Sequence, residues 1–406
     1  MAEGIAKLAE CMNSNYQLIL LGDTRCKACR KVRKRFFELL NERGLEKSLV
    51  SVLHGTKMMK GAYQSGKPTF AFYFGGPRHG NKDVTAAKIL LENADAIYPV
   101  YLTAGKFEEE IPILMKEING VCYTDDKLDS IVNVAFEELR LLRKRRRVFI
   151  SYKRSDSAAV ANQLYDVLSR HQFDVFLDTY SIRGAADFQL ELYHRITDSD
   201  VLIQLNSLNF MDSDWCKKEI TEANARQVGV LQVNWPKVRQ GDADQLCVVR
   251  KLTGVDFLNG NYENSDSQLT TDTLEKIAIK VEALRARNIA ARQDGLTAEF
   301  MKEAKRQGRS IVKGPVFLVE TRQNGKKWYY FPAIGVPQSM DCYESRETLK
   351  KWLVGGVMPD RLYLIYDDMR ILPKWIDYLD WMNKSLEVKT IKKQEFELWL
   401  KRKRNK

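Results

Sequence analysis

Along the first third of the chain, short continuous apolar runs alternate with longer stretches of helical periodicity. "YQLILLG", "LVSVLHG", "TFAFYF" and "AIYPVYL" are the runs, "CRKVRKRFFELLNERG" and "VTAAKILLENA" two of the helical stretches, and "IPILMKEI" closes the series. Short runs with no polar alternation predict strands buried on both faces of a mostly parallel sheet, with helices between them. The helical "DSIVNVAFEELRLLRKRRR" leads into a second unit with the same alternation, through "VFISY", "DVFLD", "DVLIQLN", "VGVLQVNW" and the helical "TLEKIAIKVEALRARNIAARQ". A third unit opens on "PVFLVETRQNGKKWYYF", where Asn324-Gly325 between two strand-like runs predicts a hairpin. It continues through the strand "RLYLIYD", the helix "PKWIDYLDWMN" and the strand "LEVKTI". The expected architecture is α/β throughout: an amino-terminal domain over 1–140, a central domain over 147–285, a helical connector over 286–310 and a carboxyl-terminal domain over 311–406.

The chain has 406 residues, enough for several cores, and no apolar run of membrane-spanning length. Its start, "MAEGIAKLAECMNSNY", lacks the layout of a signal peptide, so the expectation is a cytoplasmic protein without membrane association. Seven cysteines, an odd and scattered set, do not form a disulfide framework, and a lone C-x-x-C does not make a zinc site. No metal is expected. The net charge of +12 is concentrated partly in "LLRKRRR" and the terminal "KRKRNK". Without an aromatic-rich basic stripe these read as a solvated linker and tail, and nucleic acid is not an expected partner.

In the central unit, "VFISYKRSD" is a strand running into a polar loop and a helix, and "DVFLD" ends in Asp178 before a loop containing Gly184. These loops fall at carboxyl ends of parallel strands, where open α/β sheets place ligands. The ordered set "VFISYKRSD", "FDVFLDTYSIRGAADF", "DSDVLIQLNS" and "SDWCKKEI" resembles the Toll/interleukin-1 receptor (TIR) domain, over about Arg147 to Arg285. The resemblance implies a flavodoxin-like fold with a five-stranded parallel sheet. It also implies one of two functions, a self-associating signalling scaffold or, as in many bacterial and plant members, cleavage of NAD+ at the nicotinamide–ribose bond. Enzymatic members carry a glutamate in a helix that begins W-x-x-x-E, a spacing matched by Trp215 and Glu219.

That chemistry suits a single carboxylate. Nicotinamide in NAD+ is already a cationic leaving group, so the charge that needs stabilising is the positive charge growing on the ribose. A fixed carboxylate stabilises it more in the transition state than in the ground state. Glu219 is therefore the expected catalytic residue, with Trp215 one helical turn before it as a wall of the site or, equally, a core aromatic. Glu222 has no counterpart in the family motif and serves as an internal control. By resemblance, Tyr152, Lys153 and Arg154 meet the substrate and its pyrophosphate, and Asp178 orients the ribose or the following loop, or else caps a turn. Cys216 reads as a small buried residue rather than a nucleophile. NAD+ is substrate and no cofactor is expected. Expected partners are further copies of the chain, through the TIR domain, and an activating ligand or protein whose identity is open.

Two flanking motifs hold further candidates. Cys26-x-x-Cys29, with Arg25, Lys27 and Arg30 around it and Pro68 before a later strand, resembles the thioredoxin pattern, although Arg25 stands where that family has an aromatic. The helix start and the cations are expected to lower a thiol pKa, leaving a redox role open beside plain packing. "GGPRHG" reads as a turn, and Asp367-Asp368 after "RLYLIY" as a strand-ending turn rather than a metal site.

Overall fold

The structure, a computed structural model, describes residues 16–402 except 43–44, 66, 77–81, 94, 140, 143–144, 179–184, 209, 211–220, 222, 224, 226, 239–246, 315 and 354–358. The side chains of 178, 185–189 and 351–352 are likewise outside the description. Two compact units result, 1–144 with 347–358, and 145–346 with 359–406.

The first unit contains β1 (Tyr16–Gly22), α1 (Lys27–Glu42), β2 (Val50–His54), β3 (Thr69–Phe74), α2 (Val84–Glu92), β4 (Ala96–Tyr101), β5 (Val121–Cys122) and α3 (Leu128–Glu138). Its strands are all parallel in the order β2-β1-β3-β4-β5. Every residue of β1 and β3 is buried, which is why their sequences are nearly continuous apolar runs, with only Gln17 and Thr69 polar. Ala86, Ala87 and Leu90 of α2 pack on one face of the sheet. On α1 and α3, Phe36 and Phe136 meet with ring centroids 4.9 Å apart. This is a doubly wound parallel sheet.

Gly22 closes β1 with φ +74°, and a Cβ there would lie 2.2 Å from the Phe74 carbonyl oxygen. Gly22→Ala therefore forces both a left-handed conformation and a backbone clash. The expected loss is about 2–3 kcal/mol, read as a lower denaturant midpoint.

The second unit begins with β6 (Arg147–Ser151), α4 (Arg154–Arg170), β7 (Asp174–Asp178), α5 (Ala185–Asp198), β8 (Val201–Asn206), β9 (Gly229–Asn234) and β10 (Val248–Lys251). The strands are parallel in the order β10-β9-β8-β6-β7, the same winding as in the first unit. Val148, Ile150, Ile203 and Leu231 meet Val160 and Leu164 of α4 on one face. Phe149, Leu202 and Val230 meet Leu192 and Ile196 of α5 on the other.

Helix α6 (Thr271–Arg306) starts at a Thr270 cap, whose hydroxyl accepts from the Thr273 amide at 3.3 Å. Its first half contributes Ile277 and Val281 to the core over α4. Its second half contributes Leu296, Phe300 and Ala304 to the core of the carboxyl-terminal sheet. The expected connector over 286–310 is thus corrected: most of it is the distal half of a 36-residue helix shared by both cores. Its low apolar density reflects a narrow buried stripe rather than a linker.

Beyond α6 come β11 (Ile311–Lys313), β12 (Leu318–Thr321), β13 (Lys327–Ala333), α7 (Ser339–Trp352), β14 (Arg361–Tyr366), α8 (Pro373–Ser385), β15 (Lys389–Lys392) and α9 (Phe396–Arg402). The sheet order is β11-β12-β13-β14-β15, antiparallel for the first two pairings and parallel for the last two. The predicted hairpin joins β12 to β13, with Thr321 opposite Lys327 and Gly325 at φ +77°.

The basic run 141–147 also departs from expectation. Arg145 pairs with Asp341 at 2.7 Å, Arg146 with Glu282 and Arg147 with Asp198, and all three residues are partly buried. This end of the run is a structural seam, not a solvated linker.

Candidate active site

In the central sheet the chain reverses its direction of winding between β6 and β8. The crevice at the carboxyl ends of these two strands is where such a fold accommodates a ligand. Tyr152, Lys153 and Arg154 follow β6 directly. Tyr152 is only 4% exposed and packs in the core beneath the crevice, so its ring is a wall rather than an open contact. Lys153 holds the N-cap position of α4, and Arg154, its first residue, is exposed. Asp178 is the last residue of β7, in register with Ser151 of β6, which places it at the same edge. Trp215 and Glu219, with Cys216 and Glu222, lie outside the described residues.

Several polar groups at this edge escape a reading of the sequence alone. Asp156 accepts a hydrogen bond from the Ser207 hydroxyl at 3.1 Å, tying the first turn of α4 to the loop after β8. Gln204 and Asn206 of β8 are fully buried beside Gln232 and Asn234 of β9. The Asn206 amide donates to Asn234 at 3.1 Å and the Gln232 amide to Gln204 at 3.3 Å. By strand alternation all four share the face of Leu202 and Val230. Polar residues at alternate positions of an otherwise apolar strand were the available signal.

The carboxyl-terminal domain grips α5, the helix whose first residues are the "AADF" of "SIRGAADF". The Val336 amide donates to Asp198 at 2.9 Å, and Arg370 lies over the Tyr193 ring at 5.0 Å. His194 accepts from the Leu372 amide through Nδ1 at 3.4 Å and stacks on Trp375 with centroids 5.9 Å apart. Burial pushes the His194 imidazole down to about 4, with Glu191 opposing and Arg195, Lys374 and Arg147 assisting. Its folded pKa is below the unfolded value, so protons favour the unfolded chain. The contribution of neutral His194 is complete above about pH 6.5 and is lost as pH falls from there toward 4. A melting series over that window is expected to show a decline that His194→Gln reduces.

The flanking candidates resolve differently. The Cys29 amide donates to the Cys26 sulfur at 3.3 Å, but burial raises both thiols, Cys29 to about 12. The expected lowering of a thiol pKa is therefore reversed, because desolvation is the largest influence on both, and at Cys29 it outweighs the cations Arg33 and Arg30. Asp367 accepts from the Met369 amide two residues on at 3.0 Å, the turn geometry anticipated for it, whereas Asp368 accepts from the distant Gln394 amide at 3.1 Å, just past β15. Among the described residues no cluster of three metal-ligating side chains occurs, and no helix is long and apolar enough to cross a membrane. Of "GGPRHG", only Gly75 and Gly76 fall within the described residues.

Comparison with known proteins agrees with this geometry over the central unit. Residues 148–270 match a family described as the TIR domain. The chain thus contains a TIR domain, a class that includes both NAD+ hydrolases and non-enzymatic members. No curated protein matches the sequence. Among solved structures, the C-terminal domain of glucosamine-fructose-6-phosphate aminotransferase from Francisella tularensis aligns at 8% identity and TM-score 0.21, covering 72% of this chain and 88% of that one. Tagatose-6-phosphate ketose/aldose isomerase from Escherichia coli aligns at 10% identity and TM-score 0.21, covering 72% and 87%. Such scores do not mark a shared fold.

Proposed function

We propose that the TIR domain is an NAD+ glycohydrolase that cleaves the nicotinamide–ribose bond, releasing nicotinamide with ADP-ribose or a cyclic isomer. The observation that carries this reading is the TIR match over 148–270 combined with the W-x-x-x-E spacing of Trp215 and Glu219. Support comes from the crevice at the ends of β6 and β8, with Lys153 and Arg154 beside the start of α4. Cations and helix amides there suit a pyrophosphate. Glu219 then stabilises the developing ribosyl cation, and no general acid is needed for the leaving group. The setting we propose is bacterial antiphage defence, by NAD+ depletion or a cyclic nucleotide signal. Self-association through the TIR domain is the proposed trigger step, with the flanking domains as regulators.

The test is nicotinamide release by purified full-length protein at high concentration with a crowding agent. Release that rises with protein concentration supports the proposal. Assembly visible by light scattering without NAD+ loss favours the scaffold reading. The raised thiols of Cys26 and Cys29 weigh against redox as the primary activity.

A further inference from the structure

The first unit holds an open cavity of about 400 Å³ that the proposed NAD+ chemistry does not use. It lies past the carboxyl end of β2, between the helical turns Gly55–Lys57 and Met58–Ala62 and the start of α2. That is the edge at which open parallel sheets receive ligands. Thr56, Lys60, Asp83 and Thr85 are its polar lining residues. The Asp83 carboxylate is held in place there. Its Oδ2 accepts the Gly22 amide at 3.1 Å, and a Cβ at residue 55 would fall 2.2 Å from Oδ1, so glycine at 55 makes room for it.

Against this one carboxylate stand four cations. Lys60 lines the cavity, Lys57 and Lys82 adjoin its lining residues Thr56 and Asp83, and Arg33 of α1 acts together with Lys57 and Lys82 on His54, the last residue of β2. All four are exposed, and none forms an ion pair or hydrogen bond through its side chain among the described residues. The neighbours of Arg33 on α1 differ: Lys34 lies 3.6 Å from Glu38 and Arg35 2.7 Å from Glu42. His54 registers the excess charge. Burial first, then Arg33 and Lys57, hold its imidazole below its ordinary value, with Asp83 opposing and Lys82 assisting. Like charges gathered round one cavity repel one another, and a bound anion relieves that repulsion.

We propose that this cavity binds a small phosphate monoester whose organic part carries hydroxyls, as in a nucleoside monophosphate or a sugar phosphate. Lys57, Lys60 and Lys82 neutralise the phosphate, each as a point charge, while Asp83 accepts from a hydroxyl of the organic part. The fixed carboxylate works against a continuous polyanion, which would bring further negative charge to it. The volume is within the range of small-molecule sites.

Isothermal titration of the full-length protein with adenosine 5′-monophosphate and ribose 5-phosphate tests this, beside adenosine, ribose and inorganic phosphate. At least one ester is expected to bind at one per chain, more tightly than its neutral counterpart and than inorganic phosphate. Tighter binding of the adenosine ester assigns a nucleotide; ribose 5-phosphate binding at least as tightly assigns a sugar phosphate. Lys60→Glu is expected to weaken the bound ester at least about tenfold and to melt near wild type, because Lys60 is exposed and unpaired. Lys88→Glu makes the same change of net charge on α2 outside the cavity and is expected to bind as wild type does. Arg154→Ala, at the TIR crevice, is expected to do the same. No ester binding, esters binding no tighter than adenosine, ribose or inorganic phosphate, equal weakening by Lys60→Glu and Lys88→Glu, or loss in Arg154→Ala in place of Lys60→Glu overturns the proposal.

Discussion

Glu219→Ala is expected to lower nicotinamide release by roughly 10²–10³-fold, the usual cost of deleting one electrostatic stabiliser of a transition state. Glu222→Ala, three residues away on the same segment, is expected to leave the rate near wild type. The loss should fall on kcat more than on KM, because the carboxylate meets full positive charge only as the glycosidic bond breaks. Glu219→Gln separates hydrogen bonding from charge. It retains the hydrogen-bonding capacity toward the ribose but not the negative charge, so it should stay close to alanine in rate. A Glu219→Ala protein that releases nicotinamide at the wild-type rate would remove this residue from the chemistry.

Asp200→Ala is expected to destabilise the second unit by about 3–5 kcal/mol, the cost of leaving a buried charge without its partner. Asp200 and Arg285 are both fully inaccessible, and Arg285 Nε donates to Asp200 Oδ2 at 2.9 Å. The same carboxylate oxygen accepts the Arg147 amide at 3.1 Å, and the Arg285 guanidinium donates to the Arg145 carbonyl at 3.1 Å. One ion pair therefore ties the start of β6, the start of β8 and the middle of α6. With Asp200 removed, the guanidinium has no route to water. A melting temperature lower by on the order of 10 °C is the expected reading for a unit of this size. The double variant Asp200→Leu/Arg285→Met should recover much of the loss, since an apolar pair of similar volume removes both desolvation costs. Recovery will be partial because the Arg147 amide loses its acceptor. Equal destabilisation of the single and double variants would place the effect in packing rather than in the unpaired charge.

Much of the fold was legible in the chain. β1, β3 and β8 are buried along their whole lengths, so their composition reports the solvent-free environment directly, with Gln17, Thr69, Gln204 and Asn206 as the polar insertions. Asn324-Gly325 specified the β12–β13 hairpin because few residues accept the backbone that a tight turn demands. The ordered TIR motifs likewise located the central domain and the edge bearing Tyr152, Lys153, Arg154 and Asp178. Short-range backbone preference and burial leave local marks, and local marks can be read in one dimension.

What depends on partners distant in sequence emerged only in three dimensions. The end of "LLRKRRR" looks solvated until Asp341, Glu282 and Asp198 arrive from other elements to pair Arg145, Arg146 and Arg147. Cys26 and Cys29 look activated by neighbouring cations until burial is known, and burial raises both. The residues after Arg285 look like a connector until their narrow apolar stripe meets the sheet that follows. The α/β class, the strand edges and the TIR motif set are written in the chain, because each rests on neighbours in the sequence. Charge state and the role of α6 were decided by the fold, because desolvation and pairing energies depend on what surrounds a group in space.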